Sequence, residues 1–513
     1  MKRAAVLVLM VMASGLARAQ GQSVQEQLDE LKRTVAAQQQ TIQAQSEELA
    51  RLRGDVDQSK LQKQDSPKLS MTYGRPTITS ADEQSSLSLR AVVQLDSAMY
   101  DQDNDKAADQ DFRRGSVGAA PNRETLGARD LSNGAYFRRA RFGVEGFYLR
   151  DFNYKFVTEF GGAGTEGPAR INDAWVNYAG FAPFVFQVGA FAPPANLDDS
   201  TTPDDLVFLE RAASAELSRT LGGADGRIGA GARGSGPRWF GSVTLTTRTV
   251  NDAEVFDSAL NVVSRASFLA LTSPDYNLHM GASGTWAFSP ADQGAGTTPR
   301  YPIRFRDRPE IRVDSTRLID TGSIDADSAS AIGAELAGNW RNFYLQGENF
   351  WFAIDRRPTT AAVQPPNPHF GGYYVQGSWV ITGEPRRYNP STGSYRSPLP
   401  YSPVAWPYGL GAWELALRFS HTDLDYREGS GGTAASGIGV RGGQQDIWTV
   451  GVNWYLSANL KFMLNWLHVD VDRLNPAGPG NTTPFGAAPA TPPLGVQIGQ
   501  DLDVFAARAQ FAF

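Results

Sequence analysis

Segment after segment of this chain reads with period two, apolar on one face and polar on the other, and the connections between segments alternate between short and long. Phe137–Phe160, FRRARFGVEGFYLRDFNYKFVTEF, is the clearest unit. Phe142, Val144 and Tyr148 share one face, opposite Arg139, Arg141 and Glu145; past a break at Leu149–Asp151, Tyr154, Phe156 and Phe160 lie opposite Asn153, Lys155 and Glu159. The same alternation predicts strands at Leu87–Met99, Trp413–Ser420, Trp448–Tyr455 and Asp503–Phe513, where Phe505, Ala507, Ala509, Phe511 and Phe513 face away from Arg508 and Gln510. Strands of about ten residues suit a tilted crossing of a bilayer.

Short turns are expected near Leu149–Asp151, Gly180–Pro183, Gly234–Pro237, Ser273–Asp275, Trp340–Asn342 and Ser457–Asn459. Longer loops fall between them, near Asp101–Ala135, Gly161–Ala169, Pro193–Gly222, Asn251–Val262, Ser289–Ala329, Asp355–Phe370, Glu428–Gln444 and Asp472–Gly499. Long loops on one side, with turns and both ends on the other, give about sixteen antiparallel strands and the pattern of an outer-membrane barrel wide enough for an aqueous channel. Glu384–Leu410 breaks the rule: it is long on the short-turn side, and its prolines keep it out of the sheet. The fold class is therefore an all-β, sixteen-stranded antiparallel transmembrane β-barrel with an N-terminal helical coiled coil. A soluble double sandwich is the alternative, disfavoured by the export signal, the aromatic outer faces and Phe513, which reads as an assembly signal.

The remaining segments lie ahead of the barrel. Residues 1–19, with Lys2 and Arg3, an apolar run and Ala17-Arg18-Ala19, read as a secretory signal peptide. Residues 20–58 form a periplasmic coiled coil, with Leu28, Val35, Ile42, Leu49 and Val56 at a and Val24, Leu31, Gln38, Gln45 and Leu52 at d. Residues 59–86 read as a linker and 87–513 as the barrel. Mean hydropathy is −0.34, a value that barrel strands produce because lipid-facing and lumen-facing residues alternate. The absence of cysteine excludes disulfides and thiolate chemistry. A net charge of −6 argues against nucleic acid. The four histidines are scattered, without metal or triad spacing, and neither a nucleophile-elbow nor a phosphate-loop motif occurs, so the reading is not an enzyme and implies no cofactor.

The residues that could carry chemistry are arginines: only eight of the 48 basic residues are lysine. Arg304, Arg306 and Arg308, with Arg312 and Arg317 beside them, would in extended chain place guanidinium forks on one side about 7 Å apart. Arg90, Arg139 and Arg141 continue the row down the wall, with Glu145, Glu159 and Asp173 as wall counterions. The third long loop is acidic: Asp198, Asp199, Asp204, Asp205, Glu210 and Glu216 face only Arg211 and Arg219. An acidic constriction favours cations, so the row and the loop point in opposite directions.

Beyond these patterns, the segments FRRARFGVEG, DFNYKFVTEF, INDAWVNYAGF, VFLERA, RFRDRPEIRVDSTRLIDTG, GYYVQGSWVITGEPRRY, GAWELALRFSHTDLDY and VGVNWYLSANLKFMLNWLHVDVDR resemble the phosphate-selective porin O/P family across nearly the whole barrel. The resemblance implies a trimeric sixteen-stranded barrel in which an arginine ladder feeds anions to a constriction made by the inward third loop. By match the ladder would be Arg90, Arg138, Arg139, Arg304, Arg306 and Arg308, and Asp173 a wall aspartate, although period-two alternation turns Arg138 outward. Phosphate-binding relatives carry lysine in the third loop where this chain has Asp204. The expected function is a homotrimeric outer-membrane porin of a Gram-negative bacterium, in contact with outer-membrane lipid, passing small anions, phosphate or pyrophosphate among them. A general or cation-preferring pore, and a structural tether reaching the cell wall through the coiled coil, remain as alternatives.

Overall fold

A computed structural model of the chain describes residues 24–64, 66–102, 131–162, 169–253, 255–360, 364–405, 409–428, 438–476, 495, 497 and 499–513. The signal-peptide segment and most of the first and last long loops lie outside the described residues. Two compact units are present, one made chiefly of the chain up to Lys68 and one of the rest. The first contains helix α1, Val24–Gln64, which runs past the expected boundary at 58. Leu28, Leu31, Val35, Ile42, Leu49 and Leu52 are all exposed along this single helix. Where a linker was expected, Lys68–Thr72 pairs with Arg75–Thr79, and the latter pairs with the start of the barrel.

The second unit is a closed antiparallel barrel of sixteen strands. In order they are β1 Ser86–Gln102, β2 Gly134–Tyr148, β3 Phe152–Glu159, β4 Arg170–Phe181, β5 Phe184–Phe191, β6 Arg227–Ser235, β7 Trp239–Thr249, β8 Leu260–Thr272, β9 Tyr276–Ser289, β10 Ile324–Trp340, β11 Phe343–Arg356, β12 His369–Val380, β13 Ala412–Tyr426, β14 Val440–Tyr455, β15 Leu460–Asp472 and β16 Gln500–Ala512. Each pairs with its sequence neighbour, and β16 closes on β1 with Phe511 opposite Val93. Phe513 completes the seam by exchanging backbone hydrogen bonds with Ala91 at 3.0 and 3.2 Å. The β2–β3 turn falls where the sequence breaks: Tyr148 pairs with Phe152 across the three residues 149–151, and Leu149 and Arg150 both lie at positive φ.

The faces follow the alternation. Leu87, Val93, Leu95, Phe142, Phe156, Leu415, Leu417, Trp448 and Phe505 are exposed on the outside, while Ser88, Gln94, Asp96, Glu414, Arg418 and Arg508 are buried inside. The interior is not an empty tube. The 192–226 connection between β5 and β6, hereafter the third loop, folds inward. It carries two helices, α2 Leu197–Ser200 and α3 Ala213–Gly222, the latter buried almost throughout. Phe305, Ile311, Leu318 and Ile319, from the 290–323 connection between β9 and β10 (the fifth loop), join the same core with inward residues of β9 to β16.

Candidate functional site

The third loop crosses the lumen as irregular chain, so its carbonyls need donors from elsewhere. The wall supplies them in sequence. Gln94 donates to Pro203 O (3.2 Å), Lys461 to Asp204 O (3.0 Å) and Leu206 O (3.1 Å), and Arg386 to Asp205 O (3.0 Å). Asn453 follows at Val207 O (2.8 Å), Arg508 at Leu209 O (2.6 Å) and Arg418 at Glu210 O (3.0 Å). On the donor side, the backbone N–H groups of Leu197 and Asp198 bond Glu348 at 2.8 and 3.0 Å. Arg386, Arg418, Arg508 and Lys461 thus clamp the loop. Each faces inward on a legible strand or lies beside one, but nothing in the sequence marks it as a clamp, because its acceptors are main-chain atoms of a distant segment.

A bulge decides the position of Arg138. Gln94 pairs with Arg139 and Leu95 with Phe137, leaving Arg138 as the extra residue of β2. The extra residue re-aims a side chain that strict alternation would send outward. Arg138 instead grips Glu210 of the third loop with both arms, at 2.6 and 3.0 Å. Arg139, inside as expected, is buried against Gln94 Oε1 at 2.6 Å. Arg141 reaches Glu159 at 2.7 Å and Asp225 at 2.6 Å. Arg90 lies 3.9 Å from Glu145. Asp173 pairs with Lys155 at 3.0 Å, so the wall aspartate has a lysine rather than an arginine as its partner.

These contacts settle the charge state of the acidic loop. Glu210 is shared among Arg138, Arg508 (3.0 Å) and Arg312 (3.4 Å). Burial works against its ionisation, but the charges of Arg138, Arg139, Arg312 and Arg508 hold its carboxyl well below the usual carboxylate range. Glu216 takes Arg312 at 2.8 Å and Arg219 at 3.2 Å, and Asp199 takes Arg219. Asp205 accepts the Ser397 N–H at 2.7 Å. Asp198 is buried and its carboxyl is pushed up by that burial. Asp204 is half-buried; burial is outweighed by Arg90, local hydrogen bonds and Lys461, so its carboxyl stays low. The loop is acidic in sequence, yet Asp199, Glu210 and Glu216 sit against arginine.

The expected row in the fifth loop is broken. Arg304 is locked to Asp320 at 2.7 Å. Arg306 is exposed on the same side, its side chain making no hydrogen bond or ion pair among the described residues. Arg308 is buried, because extended chain stops at Asp307: the chain turns through Pro309 and Glu310, the latter at φ 60°, as Glu310 reaches in to Arg418 and Ser420. The Nε of Arg308 finds no partner. Arg317, named in sequence only as a neighbour, proves to belong with these. Burial lowers its pKa to about 10, helped by the charges of Arg308 and Arg306. Arg308 in turn is lowered by burial and by Arg312 and Arg138. Arg306, Arg317, Arg308, Arg312 and Arg138 therefore form one electrically connected series from the fifth loop to the β2 wall.

A sequence profile describing phosphate-selective porin O and P matches residues 117–513. The chain belongs to this family. Its relatives include an uncharacterized protein of Caulobacter vibrioides, 26% identical over 71% of this chain and 69% of the relative. Porin O of Pseudomonas aeruginosa is 22% identical over 67% of this chain and 78% of its own. Among solved structures, an anion-selective porin from Comamonas acidovorans aligns with 84% of this chain and 100% of its own, at TM-score 0.45 and 11% identity. The trimer form of OmpT from Vibrio cholerae aligns at TM-score 0.43 and 10% identity, covering 84% and 99%. Family and barrel together make this porin an outer-membrane channel.

Proposed function

We propose that this porin conducts small anions along a path beside the third loop, bounded by β1 to β6 and entered past the fifth loop. One observation carries the reading. Asp199, Glu210 and Glu216 of the third loop and Glu145, Glu159 and Asp173 of the wall are each paired with arginine or lysine, whereas Arg306, Arg308 and Arg317 hold no ion pair among the described residues. Neutralised acid beside unpaired guanidinium leaves a positive lumen, and guanidinium forks suit oxyanions such as phosphate or pyrophosphate. Arg90, Arg139, Arg141 and Arg312 line or support the same path. The measurement is the reversal potential in a potassium chloride gradient. Replacing Arg306, Arg308 and Arg317 together by alanine moves it toward cation preference, most at low salt, where screening is weakest. A parent-like potential in that variant would overturn the reading.

In the same proposal the mature porin is a trimer, residues 1–19 having been removed. The exposed apolar stripe of α1 is then covered by two further copies as a periplasmic coiled coil. The isolated 24–64 peptide should sediment as a trimer.

A further inference from the structure

The long connection between β12 and β13, residues 381–411, does not stay at the rim. Arg387–Asn389 and Ser394–Arg396 pair as a small hairpin, and Tyr395 on it is buried with Leu197, Val207 and Phe208 of the third loop and with Tyr344 of β11. The hairpin tip fits closely against the wall: Gly393 sits at φ 55°, and a Cβ there would lie 2.5 Å from Ser267 Oγ and 3.1 Å from Phe240 Cβ. The hairpin also holds the third loop. Ser394 Oγ donates to Ser200 O at 3.0 Å, and the Ser397 N–H donates to Asp205 Oδ1 at 2.7 Å.

Arg265 of β8 joins the pieces. Its Nε and Nη2 bond Glu335 of β10 at 3.0 and 2.8 Å. Nη1 donates to Ser200 Oγ at 3.0 Å and to Thr392 O at 2.8 Å, and Nη2 also donates to Gly393 O at 2.7 Å. Every donor of the guanidinium is engaged, in a fork that lysine cannot reproduce. One fully buried side chain thereby connects barrel wall, α2 and hairpin tip. The third loop is held along 203–210 by Lys461, Asn453, Arg508, Arg418 and Arg386, and its α2 end by Glu348 at Leu197 and Asp198 and by this junction at Ser200.

We infer that Arg265 is a positioning residue and that the 387–396 hairpin is a brace through which the periplasmic end of the barrel fixes the third loop, and with it the bore of the channel. The inference concerns bore and steadiness, not ion sign, so it stands apart from the anion reading. Its test is single-channel recording in potassium chloride. Three variants are compared with the parent: Arg265→Ala, Arg265→Lys and the double variant Ser200→Ala/Ser394→Ala. Heat-modifiable mobility on gels first confirms a folded barrel. Arg265→Ala should raise conductance about twofold and add rapid flicker, as a released loop widens the constriction. Lysine keeps a cation beside Glu335 but cannot bridge to all the acceptors, so it should lie between. The double serine variant leaves the Arg265–Glu335 pair intact and should show the same change to a smaller degree. Reversal potential, read in the same recordings, should stay at the parent value. If Arg265→Ala fails to fold, the other two variants decide. Parent conductance and parent noise in both of them would overturn the inference, because a merely stabilising arginine leaves the bore of a folded channel unchanged.

Discussion

The two halves of the barrel wall use the same alternation for different ends. In the half from β1 to β8, strands β3, β5 and β6 have only 8, 8 and 9 residues, though β1 has 17, whereas in the half from β9 to β16 strands β10 and β14 have 17 and 16. At about 3.3 Å per residue and a tilt near 40°, eight residues rise only about 20 Å, short of the roughly 25 Å apolar band of an outer-membrane barrel. The outer faces differ accordingly. The long-stranded half carries stacked aromatics, with Trp340 on Phe343, Phe343 on Trp379 and Trp413 on Trp454 at centroid distances of 5.8, 5.8 and 5.1 Å. Among the short strands the rings meet tilted or edge-on instead, Phe152 with Tyr178, Tyr178 with Phe181 and Phe181 with Phe186 at 5.0, 5.4 and 6.4 Å. Inside, the long half is roofed by the third and fifth loops, and its arginines bond main chain. The short half keeps half-buried Arg90, Arg141 and Lys155 toward the lumen. An arginine on the barrel wall thus either meets main chain of an inward loop, as Arg265, Arg418 and Arg508 do, or stays half-buried toward the lumen, as Arg90 and Arg141 do.

Arg508 against Arg90 is the sharpest way to break that comparison. Arg508 is fully buried, doubly bonded to Asp96 at 2.6 and 2.7 Å, and holds both Leu209 O and Glu210. Arg508→Ala strands a buried carboxylate and should cost about 3–5 kcal/mol, seen as lost heat-modifiable barrel or a markedly lower unfolding temperature. Arg90→Ala should cost about 1 kcal/mol or less and change current instead. Equal losses of stability would erase the distinction between the two walls. The seam between the halves comes next. Deleting Phe513 removes two backbone hydrogen bonds to Ala91 and an aromatic contact with Phe511. The yield of folded barrel should fall severalfold while the properties of the channels that do form are kept; unchanged yield would deny Phe513 a role in assembly.

Asp307 gives a smaller and pH-dependent effect. Burial raises its pKa to about 7, opposed by Arg312, and it stands next to Arg308. Below pH 7 the carboxyl is neutral and the series keeps its full positive charge; above it a negative charge enters. Anion preference should therefore fall as pH rises through about 7, and Asp307→Asn should abolish the change. Linkage has the matching sign: a carboxyl whose folded pKa lies above its unfolded one binds more protons when folded, so its contribution to stability declines between about pH 4 and pH 7. A reversal potential independent of pH in the parent would remove Asp307 from the path.

Strand faces and turn positions were legible because period two and loop length are local properties, while the inward third loop was implied by resemblance to the family. What escaped the sequence depends on exceptions or on distant partners. Arg138 was misplaced by the single extra residue of a bulge, which resemblance to the family corrected and alternation did not. Arg308 left its row because Glu310, two residues on, is drawn to Arg418 on the far wall. The acidic third loop looked cation-selective because the arginines that neutralise Glu210 lie 72 and 298 residues away in the chain. The stretch 59–86 looked like a linker because two five-residue strands carry too little pattern to stand out.

Asp204 should give the smallest effect, and one that separates the two walls within a single residue. Its main-chain carbonyl is held by Lys461 and Gln510 of the long half at 3.0 Å each, while its carboxyl is held low in part by Arg90 of the short half. Substitution leaves the carbonyl bonds in place, so Asp204→Asn should be folded and stable. It removes one negative charge already opposed by a guanidinium and an ammonium, so the reversal potential should move toward anions by less than the fifth-loop triple variant moves it the other way. Asp204→Lys adds a cation at a place where phosphate-selective relatives are expected to carry one. Phosphate should then slow chloride current that it leaves untouched in the parent, because a desolvating oxyanion gains most from an added charge at the narrowest point. If Asp204→Lys passes chloride equally with and without phosphate, the carboxyl of Asp204 does not face the ion path and only its carbonyl matters.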